Sequence, residues 1–255
     1  VGNPIKHSKS PQLHNYWIEQ NKINATYDKR LINEKDIHKV IKELRNDEIS
    51  GANITVPFKK YIIPFVDELT EPSKKVQSIN TIYKVGKKIL GDNTDITGFE
   101  KSLKHINYNP KNKKIFILGA GGVVPSIIFS LKKMGVSEIF ISNRTKERAV
   151  NLKEIFNDLK IINWGETINF DVIINATSIG LKNNDFIKID YENHNSKLFY
   201  DVIYNPKQTN FLKLGKDNKN QTENGKLMFI YQAQLAFEIW HGIKPKIDNK
   251  VLELI

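Results

Sequence analysis

The sequence predicts an α/β fold in two parts. Three observations predict it: helical and extended patterns alternate from the first residues, a run of strand–helix repeats follows, and the strand that opens this run ends in the glycine turn GAGG. In the first part, PQLHNYWIEQ (Pro11 to Gln20) has the spacing of a short amphipathic helix. NEKDIHKVIKELRN (Asn33 to Asn46) has that of a second, with Ile37, Val40, Ile41 and Leu44 on one face. ATYDKRLI and GANITVPFKK (Gly51 to Lys60) carry β-branched residues, the latter ended by Pro57, and read as extended segments. The alternation predicts an open, mostly parallel sheet.

The second part begins after GDNTDITGFEKSLKHI. KKIFIL (Lys113 to Leu118) is an apolar strand, and VVPSIIFSLKKMG is a helix closed by Gly135. SEIFISNRT is a second strand, KERAVNLKEIF a helix, DVIINATS a third strand and KLFYDVIY a fourth. Successive βαβ units wind a parallel sheet right-handed, the Rossmann arrangement. The polar stretch GKDNKNQTENG precedes a final apolar helix, KLMFIYQAQLAFEIWHG. That helix must bury its Leu, Phe and Trp, and is expected to return to the first part. The expected domains are 1–96 with 226–255, and 97–225. No internal repeat or sustained heptad pattern is visible.

Composition narrows the chemistry. With 255 residues, 40% of them hydrophobic, the chain can bury a core in two modest domains. Cys is absent, which removes disulfides, thiolate nucleophiles and Cys-ligated zinc. No window is apolar enough for a membrane span, and a cytoplasmic location is expected. The chain opens at Val1-Gly2-Asn3 without Met, so a strand is expected to precede it. The net charge of +11 comes mostly from scattered Lys, without an Arg stripe or interleaved aromatics. It therefore reads as compositional drift that also favours anionic small molecules, and not as a nucleic-acid surface.

Strand, glycine turn and helix follow one another in the order that puts a pyrophosphate on a helix N-terminus. Gly119 makes the turn, Gly121 lets the backbone approach, and free N–H groups meet the phosphates. The third small residue of the usual fingerprint is replaced by Val124, followed by Pro125, so wider helix packing and the loss of one helix N–H are expected. An ordinary βα turn would look similar, but the next strand separates the two readings. It ends SNRTKER, with no acidic residue for a ribose diol. Arg144 can lie against adenine and pair with a 2′-phosphate, Asn143 and Thr145 can donate hydrogen bonds, and Arg148 adds a second fork. Cations at a helix start are unfavourable without an anion to offset them. The expected cofactor is NADP.

Two further stretches suit chemistry. Lys59 follows a segment ended by Pro57, and Asp92 and Asp95 flank Asn93 and Thr94 in a turn between the two parts. A Lys beside a carboxylate in an interdomain cleft can shuttle a proton to or from an alcohol. Spacing alone does not separate this from a solvated Lys and Asp. Near the N-terminus, Ser10 before Pro11 fits a helix cap, whereas Ser8 in HSKSP has no such explanation.

Eight blocks, GNPIKHSKSP, NITVPFKK, SINTI, GDNTDITGF, GAGG, NRTKERA, NATSIG and QAQLAFEIWHG, resemble in the same order the motifs of the shikimate dehydrogenase family. The resemblance covers almost the whole chain. It implies an N-terminal domain that binds shikimate, a Rossmann domain that binds NADP, and reversible reduction of 3-dehydroshikimate to shikimate on the route to aromatic amino acids. By matching motif, Lys59 is implied as the catalytic Lys and Asp95 as its partner. Ser8, Ser10, Thr55, Asn80, Asp95 and Gln232 are implied as the shikimate-binding set, joined by Tyr204. Gly119, Ala120, Gly121, Gly122 and Val123, with Asn143, Arg144, Thr145, Lys146, Glu147 and Arg148, match the cofactor loops. Val202 and Gly225 match positions near the nicotinamide, and Glu71 is placed near the cofactor. Ser8 then gains a role, since two hydroxyls one residue apart can reach both oxygens of a carboxylate at a helix N-terminus. On this expectation Ser8 serves binding alone, and Ser10 both cap and clamp.

The chain departs from the family in GAGGVVPS, which lacks the small residue and Arg that commonly follow the turn, and in VQSINT, which replaces the usual Gly-Ala-Val-Asn-Thr yet keeps Asn80. Two alternatives stand beside this reading: a quinate/shikimate dehydrogenase, and a nucleotide-sensing or nucleic-acid-binding protein that kept the fold and lost the reaction. The expected partner is a small molecule, with no nucleic acid, membrane or metal, in a monomer or homodimer.

Overall fold

A computed structural model describes all residues except 7, 183, 184, 186 and 188–194. The chain forms two compact units, Val1–Phe99 with Ile230–Ile255, and Glu100–Phe229. The second division falls after Phe229, four residues into the last long helix, rather than before that helix at 225/226.

The first unit opens with α1 (Ser10–Gln20) and continues, through a 3-10 turn at Glu34–Asp36, into α2 (Ile37–Arg45). Asn33 and Asp36 close a capping box at that turn, which satisfies the first free N–H groups and starts the helix. The spacing of Ile37, Val40, Ile41 and Leu44 has the expected consequence: all four are buried, in one cluster with Ile82 and Ile89. β1 (Gly51–Asn53), α3 (Phe58–Tyr61), β2 (Glu68–Leu69), α4 (Glu71–Val76), β3 (Thr81–Val85), β4 (Lys88–Asp92) and α5 (Asp95–His105) follow.

The sheet of this unit has the order β1-β3-β4-β2. β1/β3 and β3/β4 are antiparallel and only β2/β4 is parallel, which corrects the mostly parallel sheet expected from the alternation of elements. The cause is local. β3 and β4 are separated by Gly86 and Lys87, with Gly86 at φ 59°, the left-handed conformation that closes a two-residue hairpin. ATYDKRLI contributes a single bridge, Gly2 to Leu31.

The second unit holds β5 (Lys114–Leu118), α6 (Val124–Lys133), β6 (Glu138–Ser142), α7 (Lys146–Ile155), β7 (Lys160–Ile162), β8 (Val172–Asn175), β9 (Leu198–Asp201), α8 (Asn210–Asp217) and β10 (Gln221–Glu223). The sheet runs β10-β9-β8-β5-β6-β7, parallel at every pairing. Counted within the unit this is the doubly wound order, with the switch point beside β5. The central strands are buried along nearly their whole length, as an apolar run between two helical layers requires. β7 and β10 have no counterpart in the sequence expectation. They are the edge strands, with one partner each, so nothing forces an apolar pattern on KII or QTE.

α9 (Lys226–His241) brings the chain back, and α10 (Asn249–Leu254) ends it. Within the first unit, Phe237 packs edge-on against Trp17 of α1 at 5.7 Å, and the Trp240 indole donates to the Ile82 carbonyl at 3.2 Å. Position 51 must be glycine here, since a Cβ would stand 2.2 Å from the Trp240 indole nitrogen. Among the described residues no helix is long and apolar enough to cross a membrane.

His14 is buried in this aromatic cluster, stacked on Tyr27 at 4.3 Å, and neither ring nitrogen has a hydrogen-bond partner. Burial first, and the neighbouring His241 second, push its pKa from 6.5 down to about 3. The folded state therefore refuses a proton that the unfolded chain accepts. Stability present above pH 6.5 is lost as pH falls toward 3, by about 1.4 kcal/mol per pH unit. Urea midpoints measured across that window in the parent and in His14→Phe should differ by this slope, with the variant flatter.

Candidate active site

Lys59 lies on the single turn of α3, and Asp95 is the first residue of α5. The strand expected to reach Pro57 stops at Asn53, so it is a helical turn that aims the Lys. The Lys59 carbonyl accepts the Ile79 N–H at 2.8 Å, which fixes the turn to the segment leading into β3. Lys59 Nζ donates to Asp95 Oδ2 at 2.5 Å, with side chains only 10% and 9% exposed. A buried charge without its partner costs several kcal/mol, so each of the two holds the other in place. Asp92, in the same GDNTD turn, is engaged differently: its Oδ1 accepts the Thr70 hydroxyl at 2.6 Å and the Asn93 N–H at 2.7 Å.

Beside the pair stands Asn80, 3% exposed. Its Oδ1 accepts the Thr94 N–H at 2.7 Å, its Nδ2 donates to Thr94 Oγ1 at 2.9 Å, and Gln232 Oε1 lies 3.4 Å from the same nitrogen. Asn80 and Gln232, 152 positions apart, are thus brought together with Thr94 and its neighbour Asp95. Thr94 carries no weight in the sequence reading. Its signal was a Thr directly before a helix that starts with Asp. Thr55 accepts the Phe58 N–H with its carbonyl at 2.9 Å and so begins the turn that carries Lys59.

The capping role expected of Ser10 is not found, and Ser8 makes a structural contact where none was expected. α1 begins at Ser10 itself, so the cap position falls on Lys9, which makes no side-chain cap. Ser8 Oγ accepts the Ser10 N–H at 3.3 Å instead. Ser8 therefore has a local structural job, and because its oxygen accepts there, its own hydrogen stays available to an anion. The correction comes from a shift of one residue in the helix start. Ser8 also lines an open pocket of about 520 Å³ with Lys6, Lys9, Pro11, Gln12, Asp28 and Lys29; Lys59, Asp95 and Asn80 do not line it.

In the second unit, Gly119 follows β5 at φ 109°, and a Cβ there would stand 2.7 Å from the Ala176 carbonyl oxygen. At Gly121 the nearest atom to an added Cβ is 3.9 Å away, so the backbone of the turn faces open space. Gly119, Ala120, Gly121, Gly122 and Val123 lead into α6, whose first turn holds no acidic residue. Pro125 falls in that first turn, where an N–H has no partner within the helix. As expected, it leaves the first turn one N–H short, although no bond within the helix is lost to it, and Val124 is fully buried.

At the end of β6, Asn143 Nδ2 donates to the Thr145 carbonyl at 2.7 Å and shapes the turn into α7. Arg144, Thr145, Lys146, Glu147 and Arg148 are exposed there. Lys146 reaches Asn163 Oδ1 at 3.3 Å, while the Arg144 and Arg148 side chains make no ion pair among the described residues. Two unpaired guanidinium groups at a helix start fit a phosphate. Val202 and Gly225 are in contact: a Cβ on Gly225 would stand 2.0 Å from the Val202 carbonyl oxygen, so only glycine fits. Tyr204 stacks on Phe229 at 4.5 Å within this unit. Glu71 is in the first unit, exposed at the start of α4 and paired with Lys74 at 2.7 Å.

An all-parallel doubly wound sheet with a glycine turn at its switch point, in one chain with a buried Lys–Asp pair among amides and hydroxyls, defines a nicotinamide-dinucleotide-dependent oxidoreductase. Family comparisons specify which. Residues 1–82 match the shikimate dehydrogenase substrate binding domain, 101–209 the shikimate / quinate 5-dehydrogenase family and 227–249 the shikimate 5'-dehydrogenase C-terminal domain. The chain is 58% identical over 256 residues to the NADP(+) shikimate dehydrogenase of Pelagibacter ubique, covering 100% of this chain and 97% of the relative. The crystal structure of shikimate dehydrogenase from Aquifex aeolicus superposes with a TM-score of 0.88 at 34% identity, over 99% of this chain and 94% of that one. The Thermus thermophilus enzyme, solved in complex with NADP(H) and shikimate, gives 0.88 at 28% identity, over 99% and 95%. The chain belongs to the shikimate dehydrogenase family.

The structural contact of Ser8 is measurable. Ser8→Ala leaves the Ser10 N–H without its acceptor and should cost about 1 kcal/mol of stability in a denaturant titration, where a purely ligand-binding serine would cost nothing.

Proposed function

We propose that the chain is an NADP-dependent shikimate dehydrogenase that interconverts 3-dehydroshikimate and shikimate, with Lys59 as the proton donor and acceptor. The observation that carries this reading is the buried Lys59–Asp95 pair, at 2.5 Å, next to the Asn80–Thr94–Gln232 cluster. Lys59 gives a proton to the oxygen developing at C3 and takes it back in the reverse direction. Asp95 orients the ammonium and accepts a substrate hydroxyl with its remaining lone pairs. Asn80, Thr55 and Gln232 bind the other hydroxyls, and Ser8 and Ser10 hold the carboxylate beside the start of α1. Tyr204 completes the substrate set. A site built from so many polar partners rejects analogues that lack a hydroxyl, because a buried group is then left unpaired.

In this reading the first unit is the substrate domain and the second the cofactor domain. The open backbone at Gly121, the α6 N-terminus and the unpaired Arg144 and Arg148 fit a nicotinamide dinucleotide carrying a 2′-phosphate. Gly119 to Val123 and Asn143 to Arg148 would hold it, with Val202 and Gly225 beside the nicotinamide and Glu71 near the cofactor. NADPH, when bound, supplies the hydride that C3 receives.

Two measurements test the reading. Lys59→Ala should lower kcat on 3-dehydroshikimate by about a hundredfold or more, since a positioned acid is typically worth that much; turnover within a few-fold of the parent would remove Lys59 from proton transfer. For the cofactor, the parent should prefer NADPH to NADH. Arg144→Ala should raise KM for NADPH by about ten- to hundredfold and leave KM for NADH within about twofold, the expected cost of a charged hydrogen bond lost from one ligand only. A parent that prefers NADH would overturn the assignment to NADP.

A further inference from the structure

Asp201, the last residue of β9, is fully buried, and its carboxylate meets three neutral donors. Oδ1 accepts the Ile203 N–H at 3.0 Å and the Asn175 amide at 3.1 Å, while Oδ2 accepts the Thr209 hydroxyl at 2.6 Å. A buried carboxylate among neutral groups costs more than an apolar side chain of its size, so core packing does not account for it. The reach of its bonds does. Ile203 is fixed on both sides: its N–H goes to Asp201, and its carbonyl accepts the Gly225 N–H at 3.1 Å. Val202 lies between, its N–H bound to the Asn175 carbonyl at 2.9 Å, and its own carbonyl oxygen stands 2.0 Å from where a Cβ of Gly225 would be. The spacing of Val202 and Gly225 therefore follows the Ile203 peptide, and that peptide follows the carboxylate. Asn175, opposite Asp201 in the β8/β9 register, extends the anchor to the loop whose Ala176 carbonyl bounds the Gly119 turn. Thr209 closes it from the other side, since the hydroxyl that donates to Asp201 also accepts the Leu212 N–H at 3.3 Å and caps α8.

We infer that Asp201 is a positioning residue for the nicotinamide half of the cofactor: buried behind the site, it fixes the Ile203 peptide, and through it the spacing of Val202 and Gly225, before the dinucleotide arrives. The inference rests on the proposed placement of Val202 and Gly225 beside the nicotinamide. Preorganisation of this kind lowers the ordering cost of binding. Its effect is confined to one half of the ligand, because the turn that carries Arg144 takes its shape from the Asn143 bond to the Thr145 carbonyl instead.

Two variants and two ligands test it. Asp201→Ala leaves the Ile203 N–H without its acceptor, whereas Asp201→Asn keeps an oxygen for Ile203 and Asn175 and offers its NH2 to the Thr209 hydroxyl. NADP+ reads the whole site, and adenosine 2′,5′-bisphosphate, which lacks the nicotinamide, reads the other half alone. In Asp201→Ala the Kd for NADP+ should rise about tenfold while that for the bisphosphate stays within about twofold, and Asp201→Asn should bring NADP+ back to within about threefold of the parent. Equal weakening of both ligands, or no change in either, would assign Asp201 to stability alone and overturn the inference. An Asp201→Asn variant no better than Asp201→Ala would place the effect in the charge and overturn it as well. A parent that binds neither ligand would instead overturn the reading of the cofactor as NADP. Should Asp201→Ala fail to fold, hydrogen exchange in the cofactor-free parent decides: the Ile203 and Gly225 amides should already be protected as in the NADP+ complex, and protection gained only on binding overturns the inference.

Discussion

The carboxamide of Asn80 is the point at which the first unit is tied together. Its backbone N–H reaches the Asp92 carbonyl at 3.0 Å and its carbonyl receives the Ile54 N–H at 2.8 Å, so one residue joins β4 to the segment after β1. Its side chain meanwhile clamps Thr94, the residue before Asp95, by both N–H and hydroxyl. An amide has two donors and an acceptor with two lone pairs, and burying it is affordable only when nearly all are used. Ile79, its neighbour, holds the Lys59 carbonyl. Both halves of the proposed proton-transfer pair thus take their positions from flanking backbone that this one residue fixes.

The second unit reaches its shape largely by exclusion. Asn175 Oδ1 accepts the Thr177 N–H and hydroxyl at 3.1 and 2.7 Å, and its Nδ2 donates to the Ile179 carbonyl and to Asp201. Burial raises the pKa of the Asp201 carboxyl to about 6, against the hydrogen bonds from Thr209, Ile203 and Asn175 that favour its charged form. This knot holds the loop after β8 so that the Ala176 carbonyl stands where a side chain at position 119 would go. Gly215 and Gly225 answer similar pressures from the Phe199 ring and the Val202 carbonyl. Side chains present the polar groups of the first unit; in the second, backbone N–H groups meet the proposed phosphates because glycines let them approach.

The legible parts of the fold were those where burial imposes a period. α2 and the central strands β5, β6, β8 and β9 carry patterns that only one environment explains, and they lie where the sequence put them. Edge strands feel no such demand, so β7 and β10 left no trace in KII and QTE. Alternation of elements gave no strand direction; a single left-handed glycine between β3 and β4 decided it. In the site, motif blocks pointed to Lys59 and Asp95, but their pairing spans 36 positions and could not be read from spacing. The serines were misjudged because capping roles change with a one-residue move of the helix start. Thr94 left only the trace of a Thr before a helix, since a hydroxyl in sequence gives no hint of a partner 14 residues away.

The first unit is built from two separated stretches of chain, and the second from one. A ribosome therefore finishes the second unit's sequence while the first still lacks α9, with the Trp240 indole that covers Gly51 and the Gln232 amide beside Asn80. The contacts of Lys59 with Asp95 and of Asn80 with Thr94 lie within residues 59–95, whereas the Gln232 amide joins Asn80 only when the later stretch emerges. The amino-terminal residues are thus made first and completed last, and an early halt in translation would release a chain without Gln232 beside Asn80.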